Sequence, residues 1–177
     1  MKRIATRDLV FMALLVGLNI VLTRVASIRL SIGSVEGIRI GFGGFPIILA
    51  GIMMGPAAGG IVGAIGDVIG YYINPMGPYM PHFTLTSALT GIIPAVILAP
   101  AKKPIPSFWQ LLLAISIGQI ITSIILVPYF LQILFKIPMA VTLPARIIGQ
   151  AIHVPVYALF TEVLLKRIYM VLHYDAR

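Results

Sequence analysis

The chain has 177 residues, 59% of them hydrophobic and only 10% charged, with a mean hydropathy of +1.04 and a formal net charge of +8. A soluble domain of this size is about 25% charged, so the composition excludes one and indicates an integral membrane protein. Cysteine is absent, which excludes disulfides, thiol nucleophiles and thiolate metal sites.

The first apolar run, 9–25, follows Lys2, Arg3 and Arg7. No small-residue cleavage pattern closes it, so it reads as a retained spanning helix rather than a signal peptide. Ala13 and Gly17 form a small-xxx-small pair on it, of the kind that lets membrane helices approach closely. The connection at 26–41 mixes both signs of charge, in Arg29, Glu36 and Arg39. The next apolar stretch, 42–73, is long enough for roughly 48 Å of helix, too much for one ordinary span. Gly55-Pro56 breaks it, giving predicted helices at 42–55 and 57–73. The first is short, roughly 21 Å, and needs tilt, a kink or shelter.

Gly59, Gly63, Gly66 and Gly70 make the second of these unusually smooth, either for internal packing or for docking an outside helix. A Pro- and Gly-rich connection at 74–82 leads to predicted spans at 83–100, 108–128 and 143–165. Runs such as Leu111–Val127 do not alternate, which argues against barrel strands. The expected fold is all-α, a compact bundle of six transmembrane helices forming one domain over 1–177.

Charge bias orients that bundle. With the N-terminus inside, the inner side holds Lys2, Arg3, Arg7, Lys102, Lys103, Lys166, Arg167 and Arg177, against Arg24, Arg29, Arg39 and Lys136 outside. Basic residues favour the cytoplasm, so both termini are expected there. Five spans with the N-terminus inside reverse the tally, and with it outside they tie. Segment length and Gly55-Pro56 decide for six. The connections at 26–41, 74–82 and 129–142 then lie outside and are longer than the inner ones. That asymmetry reflects either a site opening outward or merely uneven loops.

The polar residues within apolar segments are few. Arg146 either snorkels to the interface or faces a polar cavity, and Gln150 and His153 share its helical face. Asp67 needs a donor or a proton, and it either receives a ligand or ties two helices together. Tyr71, Tyr72 and Asn74 stand further outward, as an interface belt or as a stacking surface. His82, Thr84, Thr86 and Thr90 open the following helix, and Thr can also bond its own backbone. Gln119 faces either a neighbour or the pocket.

Several activities find no support. There is no Walker-type phosphate loop, no His-x-x-x-His and no paired acidic cluster. Ser87, Ser116 and Ser123 lack any sign of activation as a nucleophile. Six helices without a detectable second half leave little room for a coupled alternating-access carrier. An assembly subunit that binds no solute remains a rival.

The stretch Arg39-Ile40-Gly41-Phe42-Gly43-Gly44-Phe45-Pro46 is followed by Gly55-Pro56-Ala57-Ala58-Gly59, Gly63-Ala64-Ile65-Gly66-Asp67, Tyr79-Met80-Pro81-His82-Phe83-Thr84 and Ala88-Leu89-Thr90-Gly91. Together these resemble the substrate-binding membrane subunit, or S component, of energy-coupling factor (ECF) vitamin transporters. The likeness spans nearly the whole chain and is most similar to the folate-specific branch. It implies a bacterial plasma-membrane protein, not an enzyme, whose outward pocket is covered by 26–41 and 74–82. The implied partners are a transmembrane coupling subunit, EcfT, and two cytoplasmic ECF ATPases that use the ATP; this chain itself needs no cofactor. Ala13 and Gly17 match the docking pattern on the first helix, with Gly in place of the more usual second Ala. A pterin suits aromatic stacking and a carboxylate or amide partner, and its anionic glutamyl tail suits Arg39 or Arg146. The resemblance thus directs attention to Asp67, Arg146 and Gln150 deep in the pocket, and to Arg39, Tyr71 and Tyr72 near its mouth. Asn74, His82, Thr86 and His153 complete the expected substrate-binding set. Pantothenate, thiamin and riboflavin are the rival ligands.

Overall fold

The structure, a computed structural model, describes residues 6–25, 28–32, 35–75, 79–101 and 105–174, with side chains described outside 25–40 and 170–174. Helix α1 (Thr6–Ile20) runs on into a π-helical turn at Val21–Val25. A β-hairpin follows, β1 (Ile28–Ile32) pairing antiparallel with β2 (Val35–Ile40), and then α2 (Gly44–Met54) and α3 (Pro56–Ile73). Helix α4 (Pro81–Leu98) precedes α5 (Phe108–Gln119), which passes through a π-helical segment at Ile120–Leu126 into α6 (Val127–Phe135). The chain ends in α7 (Met139–Tyr174).

Five of these stretches are long and apolar enough to cross a membrane: Thr6–Arg24, α3, α4, Phe108–Phe135 and Met139–Tyr169. With the short apolar α2 they make six, in a multi-pass membrane protein. The break between α2 and α3 lies at Gly55, whose φ of 97° suits a residue without Cβ, with Pro56 opening the next helix. At about 16 Å, α2 cannot span alone. It is sheltered instead: Ile47, Ile48, Leu49 and Ala50 are all buried, enclosed by α1, α3, α4 and α7.

Two boundaries differ from expectation. Residues 26–41, read from their charges as a plain connection, contain the hairpin. Its apolar positions 28, 30 and 32 alternate, with Gly33-Ser34 between the strands in sequence, a short-range hairpin signal that the mixed charges obscured. In its register Arg29 stands opposite Arg39, and β2 runs alongside α7. Residues 129–142, expected as an outer loop, are mostly helix. Pro128 stands in the first turn of α6, where a missing N–H is tolerated, rather than at a helix end. The Val127 N–H bonds to the Thr122 carbonyl, five residues back, so the helix widens without stopping. Lys136, at φ 57°, ends it.

The glycines of α3 pack within the molecule. Gly59 lies against Gly51 of α2 and Gly91 of α4, and Gly63 lies against the backbone of Ser87 and Ala88. Gly66 meets Asn19 of α1, and Gly70 meets Arg24. Ser87 adds a hydrogen bond to the Gly63 carbonyl at 2.9 Å. The outward side of α3 carries Ile61, Ile65 and Ile69 instead, all exposed and suited to lipid.

Apolar and polar residues divide each helix lengthwise. On α1 the packed positions are Met12, Leu15 and Val16, and polar ones follow, Asn19 on α1 and Thr23 and Arg24 in the π-helical turn. On α3 Ala58 and Val62 are packed, whereas Gly66, Asp67 and Tyr71 border open space. Leu111 and Ile115 of α5 are packed, whereas Gln119, Thr122 and Ser123 border that same space. The core therefore fills one half of the bundle and leaves a cavity in the other.

Candidate functional site

The cavity measures about 480 Å³ and is walled by α3, α4, the π-helical segment before α6, α6 and α7. A further space of about 260 Å³ shares Arg24, Asp67, Ser87, Thr90, Ser123, Arg146, Gln150 and His153 with it, and extends it down to Asn19, Gly43 and Tyr157. The two form one site with a floor.

Helix α7 supplies Arg146, Gln150 and His153 on one face, and all three line the cavity. His153 is held by aromatic neighbours. It stacks on Tyr157 with ring centroids 5.6 Å apart and an interplanar angle of 5°, and Phe42 meets it edge-on at 5.7 Å. Tyr157 is fixed in turn by donating to the Gly41 carbonyl at 3.1 Å. The floor is closed by Asn19, which donates to the Gly43 carbonyl at 2.7 Å. Gly43 lies so near Thr23 that a side chain there would collide with it, and Gly44 packs tightly against the Tyr157 ring.

Across from α7, Asp67 accepts a hydrogen bond from Thr84 Oγ1 at 2.7 Å. Asp67 thus both ties α3 to α4 and lines the cavity. Tyr71 and Tyr79 form an aromatic wall, with centroids 5.3 Å apart. Thr86 also lines the site, but its hydroxyl is turned to the Phe83 carbonyl at 2.8 Å. Two buried polar atoms of the lining, Gln150 Oε1 and His153 Nε2, have no hydrogen-bond partner among the described residues. Such atoms are costly unless something polar meets them, and they suit a ligand with a hydrogen-bonding edge.

Three expected residues stand apart. Tyr72 is 78% exposed and faces outward, because consecutive helical residues lie about 100° apart and Tyr71 takes the inward position. Asn74 is exposed and caps α3 through its backbone, its N–H donating to the Gly70 carbonyl at 3.1 Å and its carbonyl accepting from Arg24 at 2.9 Å. His82 is exposed at the start of α4 and packs on Phe130 with centroids 4.9 Å apart, outside the cavity lining. Arg39 lies in β2, and its side chain is outside the described residues.

Arg24 is the main residue that sequence reasoning missed as a lining group; it reads there as one outside charge among four, at the end of the run 9–25. It sits in the π-helical turn after α1 and donates to the Asn74 carbonyl at the C-terminus of α3, where a cation is favoured. Gly70, bare of side chain, makes room for it, an approach that the sequence does not signal. Thr122 and Ser123 were also missed. They fall in the π-helical segment, whose extra residue shifts the helical phase that a 3.6-residue period assumes. Ala13 and Gly17 lie on the exposed face of α1, and Gly17 has open space around it.

The arrangement is one of binding: two guanidinium groups, a carboxylate, an amide, an imidazole and aromatic walls border one cavity. Comparison with known proteins agrees. A family model described as the S component of an ECF-type riboflavin transporter matches residues 3–170. The folate transporter FolT of Clostridium novyi (strain NT) is 36% identical over 151 residues, covering 85% of this chain and 83% of that protein. A crystal structure of FolT bound with folic acid is similar at a TM-score of 0.75 and 26% identity, over 92% of this chain and 95% of that one. The S component for biotin from an ECF-type ABC transporter shares the fold, with a TM-score of 0.68 at 17% identity, over 93% and 91% of the two chains. The chain belongs to the family of S components of ECF-type transporters.

Proposed function

We propose that the chain captures folate at the outer face of the bacterial plasma membrane, as the S component of an ATP-driven ECF importer. The observation that carries this reading is the charge pattern of the cavity, where Arg24 and Arg146 stand with Asp67, Gln150 and the Tyr71–Tyr79 wall around about 480 Å³. Folate has a flat ring with an amide and amino edge and a dicarboxylate tail. Guanidinium groups pair with carboxylates in a fork, and a carboxylate or amide accepts from the ring edge. Riboflavin carries an uncharged tail that gains nothing from two guanidinium groups, and biotin has no aromatic ring. The 36% identity with a protein named as a folate transporter supports the same choice.

In this reading the ring enters first and meets Asp67, Gln150 and His153, while the tail meets Arg146 and Arg24. Both termini are cytoplasmic, as the charge tally favours. The energy comes from partners: EcfT and two cytoplasmic ATPases dock the loaded subunit and hydrolyse ATP, and this chain brings no cofactor.

Calorimetric titration of the purified chain tests the assignment. Folate is expected to bind with a Kd on the order of nanomolar, and riboflavin, biotin and pantothenate at least about a thousandfold more weakly. Tight riboflavin binding with none of folate overturns it. A second result is expected on the exposed face of α1. Gly17→Leu places bulk where helices must approach closely, so folate uptake and co-purification with EcfT are lost while folate affinity stays within about twofold.

A further inference from the structure

A directed chain of hydroxyl groups stands behind the cavity wall. Thr84 Oγ1 donates to Asp67 Oδ2 at 2.7 Å and lies 3.0 Å from the Tyr79 hydroxyl. A hydroxyl has a single proton, and Thr84 gives it to Asp67, so the Thr84 oxygen accepts from Tyr79. The sense of both bonds is thereby set: Tyr79 to Thr84 to Asp67. Asp67 and Tyr79 line the cavity, whereas Thr84 is not part of the lining. Tyr79 also rests on Tyr71, at 5.3 Å between ring centroids. One hydroxyl therefore touches the two lining groups that differ most in chemistry, the acid and the aromatic wall.

We propose that Thr84 is a positioning residue for the ligand site, acting through Asp67 and Tyr79. It occupies Oδ2 of Asp67 and holds the carboxylate in one rotamer. Oδ1, which no other described residue engages, is left to accept an N–H donor from the ligand. It also pins the Tyr79 ring against Tyr71, so that the stacking surface and the acceptor keep a constant separation. A ligand with both a flat π-face and an adjacent N–H edge is the class that such a fixed pair selects. Met80 and Pro81 set the relay in place: Met80 is extended, Pro81 opens α4, and Thr84 then falls in the first turn of α4, facing α3.

The inference rests on the folate reading, and the experiment separates the two. Folate is titrated against the wild-type chain, Thr84→Val, Thr84→Ser, Tyr79→Phe, Asp67→Ala and the double variant Asp67→Ala with Thr84→Val. A hydrogen bond to a charged group supports a loss of about tenfold or more in Thr84→Val, and Thr84→Ser restores affinity to within about twofold. Tyr79→Phe keeps the bond to Asp67 and loses about two- to fivefold. On the Asp67→Ala background Thr84→Val loses clearly less than on the wild type, since its route to the ligand through the acid is gone. Unchanged affinity in Thr84→Val overturns the proposal, as does a full and independent loss on top of Asp67→Ala. Failure of Thr84→Ser to recover also overturns it, and decides alone if Asp67→Ala binds too weakly to measure. A wild-type chain that binds no folate refutes the folate reading instead. A mere tie between α3 and α4 shifts the unfolding temperature of Thr84→Val and leaves its affinity unmoved.

Discussion

Arg146→Ala is expected to weaken folate binding by about a hundredfold or more, read as Kd by calorimetry. The side chain lines both the main cavity and its deeper extension, on the same face of α7 as Gln150 and His153. Removing one member of a desolvated ion pair costs about 2–5 kcal/mol, much of it from leaving the other charge enclosed without its counterpart. Here the charge left behind belongs to the ligand tail. Two controls make the argument specific. Arg146→Lys keeps the charge but loses the planar fork, so affinity recovers only in part. Pteroate, which lacks the glutamyl tail, is expected to lose far less than folate when Arg146 is truncated. An equal loss for both ligands assigns Arg146 to the ring edge and rejects the pairing with the tail.

The overall fold was readable because the bilayer imposes strong constraints on sequence. Run lengths, the break at Gly55-Pro56 and the shortness of α2 all follow from spanning a layer of about 30 Å with satisfied backbone groups. The cavity was partly readable for a related reason. A polar side chain in an apolar helix is expensive, so Asp67, Arg146, Gln150 and His153 stood out, and all four line the site. What stayed hidden lacked that contrast. Arg24 lies at a helix end, where a cation is ordinary, and only its approach to Gly70 and the Asn74 carbonyl brings it into the cavity. Thr122 and Ser123 were concealed by a change of helical phase at Ile120–Leu126, which no periodicity argument anticipates. Tyr71 and Tyr72 show the limit from the other side: adjacent tyrosines read alike, yet one lines the cavity and the other is 78% exposed. The hairpin escaped notice because its strands were short and their charges drew the reading toward a loop.

The largest expected loss of stability falls on the junction of α2, α3 and α4. A Cβ at Gly59 would stand 2.7 Å from the Gly51 Cα and 2.9 Å from the Gly91 carbonyl carbon and oxygen. These are backbone atoms of two other helices, so no rotamer change relieves the contact and the helices themselves must separate. Overpacking of a tight interior costs about 1–3 kcal/mol, occasionally more, and here it opens two interfaces together. Gly59→Val is therefore expected to lower the unfolding temperature of the detergent-solubilised chain by about 10 °C, at roughly 2–4 °C per kcal/mol for this length. Gly91→Val acts on the same contact, because its Cβ would lie 2.7 Å from the Gly59 carbonyl carbon, and the double variant should lose less than the sum. Gly17→Ala is the counter-case. Nothing stands within 4 Å of its Cβ position, and Ala favours a helix over Gly by about 1 kcal/mol, so the unfolding temperature holds or rises. The contrast separates two uses of glycine that look the same in sequence. On α3 the missing side chain brings three helices of one molecule together, and on α1 it leaves a smooth face open. A similar fall for Gly17→Ala and Gly59→Val would remove that distinction, and with it the reason for reading α1 as the docking side.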